Sequence, residues 1–76
     1  MISQRNIKIA KSVLKGYTLR QVGHIYGLSP ERIRQITRKT CRKVDFRLTL
    51  GLSGIEKIRK RKNYYISLLE DKYSHI

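Results

Sequence analysis

Residues 18–44 read TLRQVGHIYGLSPERIRQITRKTCRKV, and the punctuation of this stretch spells two helices joined by a three-residue turn. Thr18 can cap the first helix, with Gln21 three residues on completing a capping box. Tyr17 and Val22 stand at the positions of a hydrophobic staple. The spacing predicts Leu19, Val22 and Ile25 as its inward face. Gly27 stops it, because a sharp turn needs a positive φ that glycine adopts without strain. Leu28 then plugs the space between the helices, and Ser29 caps the next one. Pro30 falls in the first helical turn, where its missing N–H costs nothing. Leu28 and Ile33 form a second staple pair.

The helix from about Ser29 to Val44 has a narrow apolar seam of Ile33, Ile36, Thr40 and Val44. Its other faces carry Glu31, Arg32, Arg34, Gln35, Thr37, Arg38, Lys39, Arg42 and Lys43. Such a helix packs on one side and stands open on the other. In a helix-turn-helix the first helix crosses the DNA backbone and the second enters the major groove. That groove is about 12 Å wide and admits a helix. Arginine pairs with guanine, glutamine with adenine, and glutamate accepts from cytosine, so Arg34, Gln35 and Glu31 are suited to reading base edges. Lys39, Arg42 and Lys43 lie further along, where phosphates are the natural partners.

Outward from this core, Ser3 can cap a preceding helix, with Ile2 stapled to Ile7. Ile7, Ala10, Val13 and Leu14 form its apolar stripe, and Gly16 ends it. Between Asp45 and Leu52, the alternation of Leu48, Leu50 and Leu52 formally suggests a strand. A single strand without a partner is not stable, so an extended, partly buried loop is expected there, with a short hairpin as the alternative. A last helix is predicted from a Ser53 cap, with Glu56 completing its box, to about Tyr73. Ile58, Tyr65, Leu69 and Tyr73 share one of its faces, joined by Ile55 and Ile66. Its first half carries Lys57, Arg59, Lys60, Arg61 and Lys62; its second carries Glu70 and Asp71. The expectation is one all-α domain of about four helices over residues 1–76, without a β wing.

With 76 residues, the chain offers little depth for a catalytic cleft. A domain of that size buries only about 60% of the surface its unfolded chain exposes. Eighteen lysines and arginines against five acidic residues give a net charge of +13. Solubility asks for a charge of only about 2–8 in a small domain, so a polyanionic partner is implied. Nucleic acid leads, since each phosphate neutralised releases counterions; an anionic membrane surface comes second. Cys41 is the lone cysteine, which excludes an internal disulfide and a zinc site built on cysteines. His24 and His75 lack companions at ligand spacing, so no metal or cofactor is expected. No apolar run is long enough for a signal peptide or a membrane span, and a reducing cytoplasm suits the free thiol. The sequence reads as a complete short open reading frame that stays inside the cell.

Gly16-Tyr17-Thr18-Leu19-Arg20-Gln21-Val22-Gly23, followed by Leu28-Ser29-Pro30-Glu31-Arg32-Ile33-Arg34-Gln35-Ile36, resembles the C-terminal region four of sigma-70-family factors. That region binds the minus-35 promoter element in bacteria. The likeness runs on through Lys39, Arg42 and Lys43 to Val44, and its most specific part is Glu31 to Ile36. By this resemblance Glu31, Arg34 and Gln35 match positions that read base edges, and Lys39 matches one at the backbone or groove edge. Thr18 and Arg20 match the phosphate-contacting start of the preceding helix. Arg32 matches an arginine that holds the domain together or lies near the backbone, and Arg42 and Lys43 match a basic stretch that can meet activators. Ser29 and Arg32 are therefore counted with Thr18, Arg20, Lys39, Arg42 and Lys43 as backbone contacts. Pro30 departs from the pattern, standing where an arginine or another polar residue is usual. Thr37 replaces a commonly acidic residue and Arg38 a small one, which favours backbone affinity over discrimination. Arg38 is still counted with Glu31, Arg34 and Gln35 as a base contact.

The sequence holds no counterpart of the family's region two or three, so a complete initiation factor is not expected. The resemblance then implies a small cytoplasmic, nucleoid-associated regulator of the kind often encoded by phages or mobile elements. In sigma factors the same domain also grips the flap of the RNA polymerase beta subunit, which makes polymerase or a host sigma factor a second partner beside double-stranded DNA. An interaction protein of that kind could use Leu48, Leu50, Leu52, Tyr64, Tyr65 and Tyr73 as its surface, although core packing is the commoner use of such a stripe. RNA binding is disfavoured because the stacking aromatics of single-strand readers are absent. Catalysis is disfavoured because no nucleophile–base pair, metal cluster or phosphate loop is present. Monomer and homodimer both fit the sequence.

Overall fold

A computed structural model describes residues 3–45 and 54–73. Five helices follow in chain order: α1 (Gln4–Leu14), α2 (Leu19–Tyr26), α3 (Pro30–Val44), α4 (Gly54–Lys60) and α5 (Lys62–Tyr73). There is no strand among the described residues, in keeping with an all-α domain. Ile2, Ser53, His75 and the Leu48–Leu50–Leu52 alternation lie outside the described residues, as does the side chain of Tyr73. Among the described residues no helix is long and apolar enough to cross a membrane.

Of the four predicted N-caps, the three that lie among the described residues all form. Ser3 Oγ accepts from the Asn6 N–H at 3.1 Å, and Ser29 Oγ from the Arg32 N–H at 3.1 Å. The Thr18 box is complete: the Gln21 N–H donates to Thr18 Oγ1 at 3.0 Å and the Thr18 N–H to Gln21 Oε1 at 2.9 Å. Each cap satisfies backbone donors that a helix start otherwise leaves unpaired.

Two buried clusters hold the helices together. The first joins Ile9 and Val13 of α1, Val22 of α2, Ile33 and Ile36 of α3, and Ile55 of α4. The second joins Ala10, Leu14, Cys41, Ile58, Tyr65 and Leu69. Helices α1, α3 and α4 thus contribute to both, and α5 folds back to close the second. Each fully buried aliphatic side chain stabilises the fold by about 1.5–3 kcal/mol. Tyr65 O–H donates to Asp45 Oδ2 at 3.1 Å, tying α5 to the residue that ends α3. Burial, reinforced by that hydrogen bond, pushes the Tyr65 phenol up to about 12. Burial alone pushes the Cys41 thiol up to about 12, so this cysteine is packing material and not a nucleophile.

Four expectations need correcting. Ile25 is 66% exposed, not inward. The face that α2 turns to the core is Leu19, Val22, Gly23 and Tyr26, spaced i, i+3, i+4, i+7, and Ile25 falls outside that stripe. Tyr17 stays 52% exposed while Val22 is fully buried, so Tyr17 does not act as a buried staple. Thr37 lies in the core and not on the open face, because its hydroxyl donates to the Ile33 carbonyl at 2.9 Å and leaves only its methyl to pack. The helix expected from Ser53 to Tyr73 is two helices, with Arg61 in a turn between them. The Arg61 N–H bonds back three residues to the Ile58 carbonyl at 3.1 Å, while its own carbonyl accepts from the Tyr65 N–H at 3.1 Å. That shorter loop tightens the chain within a run of four cations, Arg59 to Lys62.

Candidate nucleic-acid interface

The geometry of the helix pair is set by the turn between α2 and α3. Gly27 takes φ +69°, a left-handed conformation that glycine tolerates best. Its N–H and that of Leu28 both reach the Gly23 carbonyl, the latter at 2.8 Å. Gly23 itself lies so close beneath the turn that an added Cβ would overlap the Leu28 carbonyl oxygen. Leu28 is half-buried against the first core cluster and Ile33 belongs to it, consistent with the second staple.

Helix α3 divides lengthwise. Ile33, Ile36, Thr37, Thr40 and Cys41 are buried, whereas Glu31, Arg32, Gln35, Lys39, Arg42 and Lys43 are exposed and Arg34 and Arg38 intermediate. Positions 31, 35, 38 and 42 follow one another at alternating four- and three-residue steps, which is a single row along a helix. Gln35, Arg38, Lys39 and Arg42 line a shallow depression in this row. Six cations and one acid occupy the helix. Glu31 in the first turn and Arg42 and Lys43 in the last also complement the helix dipole.

Neighbouring arginines restrain two side chains of the row. Arg34 Nη2 donates to both Glu31 carboxylate oxygens at 2.6 Å. Both groups are partly in water, so the pair contributes about 0–1 kcal/mol and can be exchanged for an outside partner. Arg32 Nη1 lies 3.5 Å from Gln35 Oε1, a long hydrogen bond that gives way readily. The Nε atoms of Arg34 and Arg38 are covered yet have no hydrogen-bond partner, leaving donors that the protein does not use.

At the start of α2, Thr18 and Arg20 are exposed. The expected base-contact residues Glu31, Arg34, Gln35 and Arg38 thus share the open side of α3, with Lys39, Arg42, Lys43 and Arg32 beside them. Ser29 stands at the helix start and spends its hydroxyl oxygen on the cap. Two features escaped the sequence reading. Arg59 of α4 donates through Nη2 to the Tyr17 carbonyl at 2.8 Å, which sets α4 beside the start of α2. Tyr17 and Ile25 form an exposed apolar patch with Arg20, Gln21 and His24 on the outer side of α2. Conversely, Tyr65 is 1% exposed and unavailable as an interaction surface.

Comparison with known proteins gives one family. The family model described as Sigma-70, region 4 matches residues 2–45, which takes in α1, α2 and α3. Neither the curated proteins nor the solved structures yield a significant match.

Proposed function

The chain belongs to the sigma-70 region 4 family, a family of DNA-binding helix-turn-helix domains, and on that premise we propose that it is a transcription regulator that binds minus-35-like duplex DNA through α3. The observation that carries this reading is the division of α3 into a buried side and an open row of Glu31, Gln35, Arg38 and Arg42 flanked by Arg34 and Lys39. In the proposed complex Arg34 exchanges Glu31 for a guanine edge, and Gln35 exchanges Arg32 for an adenine. Glu31, released, accepts from a cytosine amine, and Arg38 reaches the groove floor. Thr18, Arg20, Ser29, Arg32, Lys39, Arg42 and Lys43 grip phosphates on either side. Phosphate contacts fix register, and base contacts select sequence.

Fluorescence anisotropy with a minus-35-like and a scrambled duplex tests the assignment. Arg34→Ala and Gln35→Ala should each remove about 1–3 kcal/mol of discrimination. Lys39→Ala should weaken both duplexes alike. If Arg34→Ala and Gln35→Ala leave the preference intact, α3 is not the reading helix.

Docking on RNA polymerase is the second reading. It is favoured by the exposed Tyr17–Ile25 patch, since the two rank as the large exposed apolar side chains among the described residues. Purified core polymerase should then bind the wild-type protein without DNA, and more weakly after Ile25→Ser.

A further inference from the structure

The family match ends at residue 45, and the most concentrated charge in the chain lies beyond it. Lys57, Arg59, Lys60, Arg61 and Lys62 place five cations in six residues, interrupted by Ile58, which is fully buried in the second core. Four of the five are exposed and Arg59 is half-buried. None of them is ion-paired to a carboxylate among the described residues; the ion pairs found there join Lys11 to Glu70 and Arg34 to Glu31. Like charges at this density repel one another and lower stability unless a polyanion offsets them.

The position of this elbow is fixed. Ile55 and Ile58 anchor α4 in the two core clusters. Arg59 then bonds the Tyr17 carbonyl, one residue before the Thr18 cap of α2. The Arg61 guanidinium lies over the Tyr64 ring, 4.3 Å from its centroid, and is held there by the ring's negative face. A folded, pre-ordered cationic surface therefore adjoins the start of α2, the helix that crosses the DNA backbone in a helix-turn-helix.

We propose that the α4–α5 elbow is a second DNA-backbone-binding surface, extending the contact made by the start of α2 along the same duplex. The inference rests on the DNA-binding reading of α3 and adds a site outside the family's matched segment. Its ligand is the phosphate backbone, so it contributes affinity and salt dependence without sequence preference.

The test compares the full chain with Lys57→Gln/Lys60→Gln/Lys62→Gln and with a charge-matched control, Arg5→Gln/Lys8→Gln/Lys72→Gln, whose positions are exposed on α1 and late α5. Affinity for the preferred and scrambled duplexes is measured across a salt series, with circular dichroism confirming the fold. Each phosphate contact contributes about 0.9 to the slope of log affinity against log salt. The elbow variant should lose about 2–3 from that slope, so its fall in affinity between about 50 and 200 mM salt shrinks by about 40-fold. Its ratio of preferred to scrambled binding should not change, and the control should keep the wild-type slope. Equal slopes for the elbow variant and the control overturn the elbow proposal while leaving α3 as the DNA reader. Failure of the wild-type chain to bind either duplex overturns both.

Discussion

Gly23→Ala tests the geometry on which the interface depends. A Cβ at position 23 would overlap the Leu28 carbonyl oxygen and come within 3.4 Å of the Leu28 carbonyl carbon and 3.5 Å of the Ser29 carbonyl carbon. All three are backbone atoms of the turn between α2 and α3, so no side chain can swing aside. Even weak C–H···O contacts keep about 3.3 Å or more, and the turn must therefore lift away from α2. Overpacking costs about 1–3 kcal/mol, and a clash with backbone atoms that cannot turn aside falls in the upper part of that range, about 2–3 kcal/mol. Alanine recovers about 0.8–1.0 kcal/mol through its better helix propensity, which leaves a net loss of about 1–2 kcal/mol. In a domain of this size that lowers Tm by roughly 4–16 °C. Urea denaturation followed by circular dichroism measures it, with the midpoint falling and the slope unchanged. The displaced α3 should also bind DNA more weakly under conditions where the variant is fully folded. A Gly23→Ala protein as stable as the wild type would show that the close approach of the turn to α2 does not govern the fold.

Other outcomes follow from the same contacts. Thr18→Ala removes the capping box of α2 and should cost about 0.5–2 kcal/mol, read as a shift in the urea midpoint. Stability should fall as pH rises from about 9 towards 12: the folded protein holds protons on Cys41 and Tyr65 up to about 12, whereas the unfolded chain releases them at their ordinary values. The contribution is whole below those ordinary values and lost through the folded ones, so urea midpoints measured along that range should decline less steeply in Cys41→Ala. Ile25→Ser, at an exposed position, should leave stability within about 0.5 kcal/mol of the wild type while weakening any binding to purified core polymerase.

What the sequence revealed was what short-range chemistry decides. The caps at Ser3, Thr18 and Ser29 join residues three apart, so residue type and spacing define them completely. The seam of Ile33, Ile36 and Thr40 follows from helical periodicity, and with it the open side on which Glu31, Arg34, Gln35 and Arg38 stand. Ile25 misled because α2 has only two turns, and apolarity alone does not say which of two adjacent stripes meets a partner. Thr37 misled because its hydroxyl is satisfied by the helix's own Ile33 carbonyl, which makes a polar residue fit for the core. The bond from Arg59 to Tyr17 spans 42 residues and depends on how α4 packs, which no local pattern encodes. The turn at Arg61 was not legible either, since Ile58 and Tyr65 stand seven residues apart and would share one face of an unbroken helix just as well.

Binding of the wild-type chain to a minus-35-like and a scrambled duplex, at low and at near-physiological salt, tests the proposed reading of DNA most directly. A preference for the minus-35-like duplex that survives the higher salt is the predicted result, because base contacts from Glu31, Arg34 and Gln35 do not depend on counterion release. Equal binding to both duplexes that collapses as salt rises would contradict it, leaving phosphate attraction alone and no sequence-reading role for α3.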